Sequence, residues 1–143
     1  YDCTYEDDEQ SLKESFLSQI SWPSDCNPPY FVRASSMMLD KFKEGMHIGI
    51  TATANGFYGP QGRSLRLGAR VPDLNEQLNK FRLDHHKITN FEMETSALYA
   101  LSAMLGHQAV TVCAIIANRF SKTYSEDYNV PVGKLIKIVL DRF

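Results

Sequence analysis

Met46-His-Ile-Gly-Ile-Thr-Ala-Thr-Ala54 is the stretch on which the fold turns. It is mostly apolar, carries β-branched residues, and has no helical period. Ala109-Val-Thr-Val-Cys-Ala-Ile-Ile-Ala117 is a second run of the same kind. Near-continuous apolar runs of this length suit strands covered on both faces, as in a parallel sheet. Between them, Glu94 to Leu105 places Ala97, Leu98, Leu101, Met104 and Leu105 in one apolar stripe. Gly106 follows where helices commonly end. The last segment opens with Pro131 and runs to Phe143, with Val132, Leu135, Ile136, Val139 and Leu140 on one face. A terminal amphipathic helix is expected there. Strand, helix, strand, helix in this order argues an α/β layered fold. Two or three strands make a thin sheet, so further strands are expected outside this chain.

Upstream of the first run the texture differs. An acidic patch (Glu6, Asp7, Asp8 and Glu9) precedes Ser11 to Ile20, where Leu12, Phe16, Leu17 and Ile20 recur at helical spacing. Acidic residues at the positive end of a helix need no further explanation. Residues 21–29, Ser-Trp-Pro-Ser-Asp-Cys-Asn-Pro-Pro, read as a loop whose three prolines deny a regular ladder or helix. Ala34 to Lys43 reads as a short helix stopped by Gly45.

Composition narrows the function classes. The chain has 143 residues, 15 Lys+Arg against 17 Asp+Glu, and 43% hydrophobic residues, enough for one domain or part of a larger one. A near-neutral balance gives no electrostatic footprint for nucleic acid or an anionic membrane. Mean hydropathy is −0.29, and no apolar run approaches the roughly 18 residues of a membrane span. The chain begins Tyr1-Asp2-Cys3, without an initiator Met or a signal-like segment, so a cut or incomplete start is expected. Cys3, Cys26 and Cys113 make an odd count without close pairing, which argues against a disulfide framework and for the cytosol.

Three polar clusters follow the buried elements. Asn55-Gly-Phe-Tyr-Gly-Pro-Gln-Gly-Arg63 directly follows the first apolar run, and ligands in open α/β sheets bind just beyond the carboxyl ends of strands. Its glycines run Gly56, Gly59 and Gly62, which is not the dinucleotide fingerprint. A surface turn and a ligand loop both stay open at this point. Asn90-Phe-Glu-Met-Glu-Thr-Ser96 places Glu92 and Glu94 where an extended segment turns into a helix. At i and i+2 both carboxylates would share one side of a strand; capping the helix is the simpler alternative. Ile116-Ala-Asn-Arg119 closes the second run. Three such clusters at matching edges of one sheet favour a pocket. Asp84-His85-His86 has no second cluster at metal-ligand spacing, so no metal is expected there. Cys113, mid-run, reads as a small buried hydrophobe.

Taken together, Ile50-Thr-Ala-Thr-Ala-Asn-Gly-Phe-Tyr-Gly-Pro-Gln-Gly-Arg63, Asn90-Phe-Glu-Met-Glu-Thr95 and Ile116-Ala-Asn-Arg119 resemble the nucleoside phosphorylase family, and its uridine phosphorylase branch most closely. The resemblance covers residues 34–143. It implies a nucleoside-phosphorylase-like mixed sheet flanked by helices, usually assembled as a hexamer. Residues 1–143 would form the C-terminal portion of one such domain, with 1–33 an acidic helix and Pro-rich loop and 34–143 the family-like core. Family members cleave the N-glycosidic bond of a nucleoside with phosphate, giving pentose 1-phosphate and free base.

The resemblance also implies roles. Phe57 would pack against the pyrimidine ring, Gln61 would pair with the uracil edge, and Arg63 would lie at O4. A primary amide offers one acceptor and one donor, matching the N3–H and a neighbouring carbonyl of uracil. A guanidinium at O4 would stabilise negative charge where it develops as the bond breaks. Arg119 would be the second arginine near O4, directly or through water. Glu94 would accept hydrogen bonds from ribose hydroxyls, Met93 would pack on the sugar, and Glu92 would join this ribose segment chiefly by ordering it. Asn118 stands where purine-specific relatives commonly carry an Asp, and an amide cannot donate that proton, so a pyrimidine is favoured. Residues 59–60 read Gly-Pro where the branch often has Pro-Gly. The family's phosphate site has no matching positions here, so its ligands are expected outside this chain, on a missing N-terminal half or complementing chain.

The expected reaction therefore uses nucleoside and inorganic phosphate, with no other cofactor, no metal, no nucleic acid and no membrane, in a homo-oligomer. The 143-residue chain alone is expected to be catalytically dead. A purine-preferring or hydrolytic relative and a non-catalytic binding or storage member of the fold stay open as alternatives.

Overall fold

The computed structural model describes residues 9–143; Cys3 and the acidic Glu6, Asp7 and Asp8 lie outside them. Along the chain run α1 (Gln10–Gln19), α2 (Ser36–Phe42), β1 (Ile50–Thr53), α3 (Leu74–Lys80), β2 (Ile88–Glu92), α4 (Thr95–Met104), β3 (Ala117–Asn118), β4 (Thr123–Tyr124) and α5 (Asn129–Leu140). The α/β class follows directly. Two compact units form, one joining residues 9–33 to Ile48–His107, the other joining Ala34–His47 to Gln108–Phe143.

The first unit is built on β1 and β2, which pair in parallel with Thr51 beside Asn90, Ala52 beside Phe91 and Thr53 beside Glu92. Gly49 lets the strands approach: a Cβ there would stand 2.2 Å from the Thr89 methyl. Phe16, Ile20, Leu78 and Phe81 form the core, with Leu12, Trp22, Phe31, Ile50, Ile88 and Phe91 packed against it. Phe16 is its hub, with ring centroids 5.5 Å from Phe31, 5.6 Å from Phe81 and 6.0 Å from Trp22. The helical stripe of residues 12, 16 and 20 thus faces inward, while Leu17 stays exposed. Glu9, at the N-cap of α1, makes no side-chain cap bond. It is buried instead against Arg33, which donates to both carboxylate oxygens, at 2.9 Å from Nη2. The Pro-rich loop at 21–29 carries no helix or strand.

In the second unit, Ser35 caps α2 by accepting from the Met38 N–H at 3.3 Å. Phe42 is buried and stacks near Phe143, centroids 5.6 Å apart. Arg142 donates to the carbonyls of Phe42 and Glu44, both at 2.7 Å, satisfying acceptors that the end of α2 leaves open. β3 and β4 form a short antiparallel ladder.

Three expectations need correction. The second apolar run does not make a buried strand: only Ala117 enters a ladder, residues 109–116 carry no strand, and Cys113 is exposed rather than buried. An apolar run favours extended backbone, but a strand also needs a neighbour for its N–H and C=O groups. The parallel partner of β1 is instead Ile88–Glu92, whose polar residues hid it from a search for apolar runs. The apolar residues of α4 and α5 do not form a buried seam among the described residues: Leu98, Met104, Leu105, Ile136 and Leu140 are exposed. Both helices form nonetheless, and Gly106 follows α4 at φ +72°. Pro131 falls two residues inside α5, still in the first turn, where its missing N–H leaves no bond unmade.

Candidate active site

The two parallel strands end side by side. The N–H of Ala54 bonds to the Glu92 carbonyl at 2.9 Å, closing the ladder. Beyond it, the 55–63 loop leaves β1 and the Met93–Glu94 turn leaves β2 from the same carboxyl edge. Two of the three clusters predicted from sequence are therefore brought together by one pair of strands.

Glu92 and Glu94 divide into two roles. The Glu92 carboxylate accepts from the backbone N–H of Glu94 at 2.7 Å and of Thr95 at 2.6 Å, and from the Thr53 hydroxyl. The same Thr53 oxygen accepts from the Ser96 N–H at 3.0 Å. The opening donors of α4, unpaired within the helix, are thus satisfied from the strand ends. Burial works against the charged form of Glu92, yet the hydrogen bonds from Thr53, Glu94 and Thr95 outweigh it and hold its carboxyl below the ordinary glutamate value. Glu94 occupies the N-cap position, but its side chain makes no cap bond, and the residue is exposed. The strand ends at Glu92, so the two carboxylates do not share a strand face as the i, i+2 spacing suggested. Met93 lies between them at 39% exposure.

The loop after β1 closes on itself. Gly59–Gln61 make a 3-10 turn, with the Arg63 N–H on the Tyr58 carbonyl at 2.9 Å. Pro60 sits at its first or second position, where a prolyl nitrogen costs nothing, which accommodates the Gly-Pro order. Gly62 follows at φ +72°. The Arg63 guanidinium carbon stands 3.6 Å over the Phe57 ring, and its Nη1 donates to Gln61 Oε1 at 3.1 Å and to the Phe57 carbonyl. Gln61 is only 3% exposed, while Phe57 and Tyr58 are half open. An aromatic face, a primary amide and a guanidinium are thereby gathered in one loop.

Asn118 and Arg119 belong to the second unit. Asn118 Oδ1 accepts from the N–H groups of Phe120 at 3.0 Å and Ser121 at 3.1 Å, shaping the β3–β4 turn. Arg119 is half-buried. The His85 and His86 rings stack at 4.1 Å on a tight turn with Asp84 at φ +52°. Among the described residues no group of three or more His, Cys, Asp or Glu side chains gathers to hold a metal, and no helix is long and apolar enough to cross a membrane.

Two residues escaped the sequence reading. Thr53 reads from sequence as a β-branched strand former, yet it alternates with Thr51 and both hydroxyls bond polar residues of β2. Asn75 arrives from α3, a helix the sequence reading did not find, and its Nδ2 donates to the Gln61 carbonyl at 3.3 Å.

Fold and site together define an α/β protein that gathers an aromatic ring, a primary amide and a guanidinium beside a carboxylate-bearing turn at the carboxyl ends of parallel strands. The chain belongs to the phosphorylase superfamily, whose profile matches residues 12–139. It is 35% identical over 105 residues to uridine phosphorylase of Thermococcus kodakarensis, an alignment covering 66% of this chain and 35% of that protein. It also resembles the crystal structure of Trypanosoma brucei nucleoside phosphorylase, which shows uridine phosphorylase activity. There the TM-score is 0.81 and the identity 29%, over 96% of this chain and 49% of the other. The chain thus spans about a third of the curated relative and about half of the solved one.

Proposed function

We propose that this chain carries the base and ribose sites of a uridine phosphorylase, an enzyme converting uridine and phosphate to uracil and ribose 1-phosphate. The observation that carries the reading is the shared edge: the Phe57–Gln61–Arg63 loop and the Met93–Glu94 turn leave neighbouring parallel strands at their carboxyl ends. A phosphate oxygen attacks C1′ as the C1′–N1 bond breaks, and the bonding pair leaves with the base. Charge then spreads from N1 to the uracil carbonyls. Arg63 stabilises it at O4, Gln61 fixes the ring edge, and Phe57 supplies a face for stacking. Glu94 accepts from the ribose hydroxyls, and its charge favours the cation-like sugar of the loosened transition state. Met93 packs on the sugar. Glu92 acts by holding that turn in place. Arg119 is the second arginine at O4 in this reading, and Asn118, lacking an acidic proton to transfer, favours a pyrimidine over a purine.

Inorganic phosphate is the co-substrate, and no metal or other cofactor takes part. The phosphate ligands come from residues outside this chain, and the working enzyme is a cytoplasmic homo-oligomer, a hexamer, in pyrimidine salvage. The test begins with the intact mass of the purified protein, to establish whether a second half accompanies the 16.2 kDa chain. Phosphate-dependent release of uracil from uridine is then measured. Turnover by the longer or complemented protein, with none by the 143-residue chain alone, is the expected result. Turnover by the isolated chain overturns the division of labour; failure of the complete protein to bind uridine overturns the function. An Asn118→Asp variant tested on inosine reads the base preference.

A further inference from the structure

We propose that Asn75 is a positioning residue for base recognition, an inference that rests on the pyrimidine role of Gln61. Asn75 stands on the first turn of α3, which is tied to the core through Leu78 and, just past its end, Phe81, 6% and 1% exposed. Its Nδ2 donates to the Gln61 carbonyl at 3.3 Å. Its carboxamide lies against the α-carbon of the next residue: a Cβ on Gly62 would meet Nδ2 at 2.5 Å and Cγ at 2.7 Å. Gly62 is held to glycine by its φ of +72°, and a Cβ there would also push the Asn75 carboxamide out of place. Through one side chain, the rigid part of the unit reaches the residues that set the Gln61 amide.

The other end of that carboxamide argues against a purely structural role. Asn75 Oδ1 is buried and has no hydrogen-bonding partner. An unpaired buried acceptor is destabilising, and an apolar side chain of the same shape removes the penalty. Leucine fits that description and would remove the orphaned acceptor. What leucine lacks is the N–H donor that holds the Gln61 backbone, and a group held in place by such support is more exact than one left to a loop.

The test is made in the complete, active protein with Asn75→Leu, and with Asn75→Ala as a second variant should the first not fold. Asn75→Leu is expected to melt within a few degrees of the wild type, since removal of the unpaired Oδ1 offsets the loss of the donor to the Gln61 carbonyl. Its KM for uridine should nevertheless rise roughly tenfold, the value of one hydrogen bond, with kcat within about twofold. The preference for uridine over 3-methyluridine, which lacks the N3–H that Gln61 reads, should fall by a similar factor. Unchanged KM and preference beside a working wild type overturn the proposal alone, as does a loss of kcat and melting temperature with the preference intact. A wild type that does not phosphorolyse uridine overturns the base reading and this proposal with it.

Discussion

The two compact units hold themselves together by different means. The unit of β1 and β2 closes around an aromatic cluster in which Phe16 touches three other rings and Phe81 is 1% exposed. In the unit of α2 and α5, Phe42 is the buried hydrophobic side chain among the described residues, and the Arg142 bonds to the Phe42 and Glu44 carbonyls complete the join. The difference bears on function. A recognition group is only as well placed as the scaffold beneath it. The loop bearing Phe57, Gln61 and Arg63 and the turn bearing Glu94 stand on the unit with the dense core. Asn118 and Arg119 stand on or beside a two-residue strand whose residues are exposed.

The largest expected contrast is in stability. Phe81→Ala should cost about 3–5 kcal/mol, the usual penalty for emptying a phenylalanine site in a core. Ile136→Ala, at a position 54% exposed on α5, should stay within about 0.5 kcal/mol. Urea titration followed by far-ultraviolet circular dichroism measures both, and equal costs would erase the distinction between the units. Next comes the chemistry. Arg63→Gln in the active protein should lower kcat by roughly 10²–10³-fold, as removal of a donor at a developing charge does elsewhere, with a smaller effect on KM. Arg119→Gln should cost less, and a reversed order in steady-state kinetics would move the charge-stabilising role to the second unit.

The two carboxylates of the β2–α4 turn should separate cleanly. With Glu94 on the ribose as proposed, Glu94→Gln should reduce kcat/KM about 10- to 100-fold, the value of one charge-assisted hydrogen bond, while leaving the melting temperature unchanged. Glu92→Gln should do the opposite, lowering stability by about 1 kcal/mol near neutral pH, as loss of a helix cap does. The folded protein holds the Glu92 carboxyl below its ordinary value. Its contribution is therefore complete above the unfolded-state value and is lost as the pH falls through the folded one. Melting curves at pH 7 and in acid should show the wild type and Glu92→Gln converging as the medium becomes acidic; a constant gap contradicts the charge argument.

Periodicity and stop signals make α1, α2, α4 and α5 legible, while α3 carries neither and is missed. Residues 12, 16 and 20 identify α1, Gly45 stops α2, Pro131 opens the α5 segment and Gly106 marks the end of α4, because these signals depend on near neighbours in sequence. Strand pairing was not legible in the same way. Met46–Ala54 and Ala109–Ala117 look alike, yet among the described residues only the first finds a parallel partner, since pairing is decided by which segment lies alongside. That partner, Ile88-Thr-Asn-Phe-Glu92, hid behind polar residues whose purpose appears only when Thr51 and Thr53 are opposite them. The candidate site was read from types of residue in order, and the loop and the Glu94 turn were found that way. Asn75 was out of reach, because nothing in Asp-Leu-Asn-Glu-Gln at 73–77 announces a contact with a loop more than ten residues away.

The most direct measurement is a titration of the isotopically labelled protein with uridine, followed by nuclear magnetic resonance at the Gln61 side-chain amide and the Arg63 guanidinium. Saturable shifts at both, reproduced by uracil and absent with 3-methyluridine, are what a pyrimidine site at the carboxyl edge of β1 and β2 predicts. Uridine binding that leaves the Gln61 amide unmoved would place the base elsewhere and contradict the account.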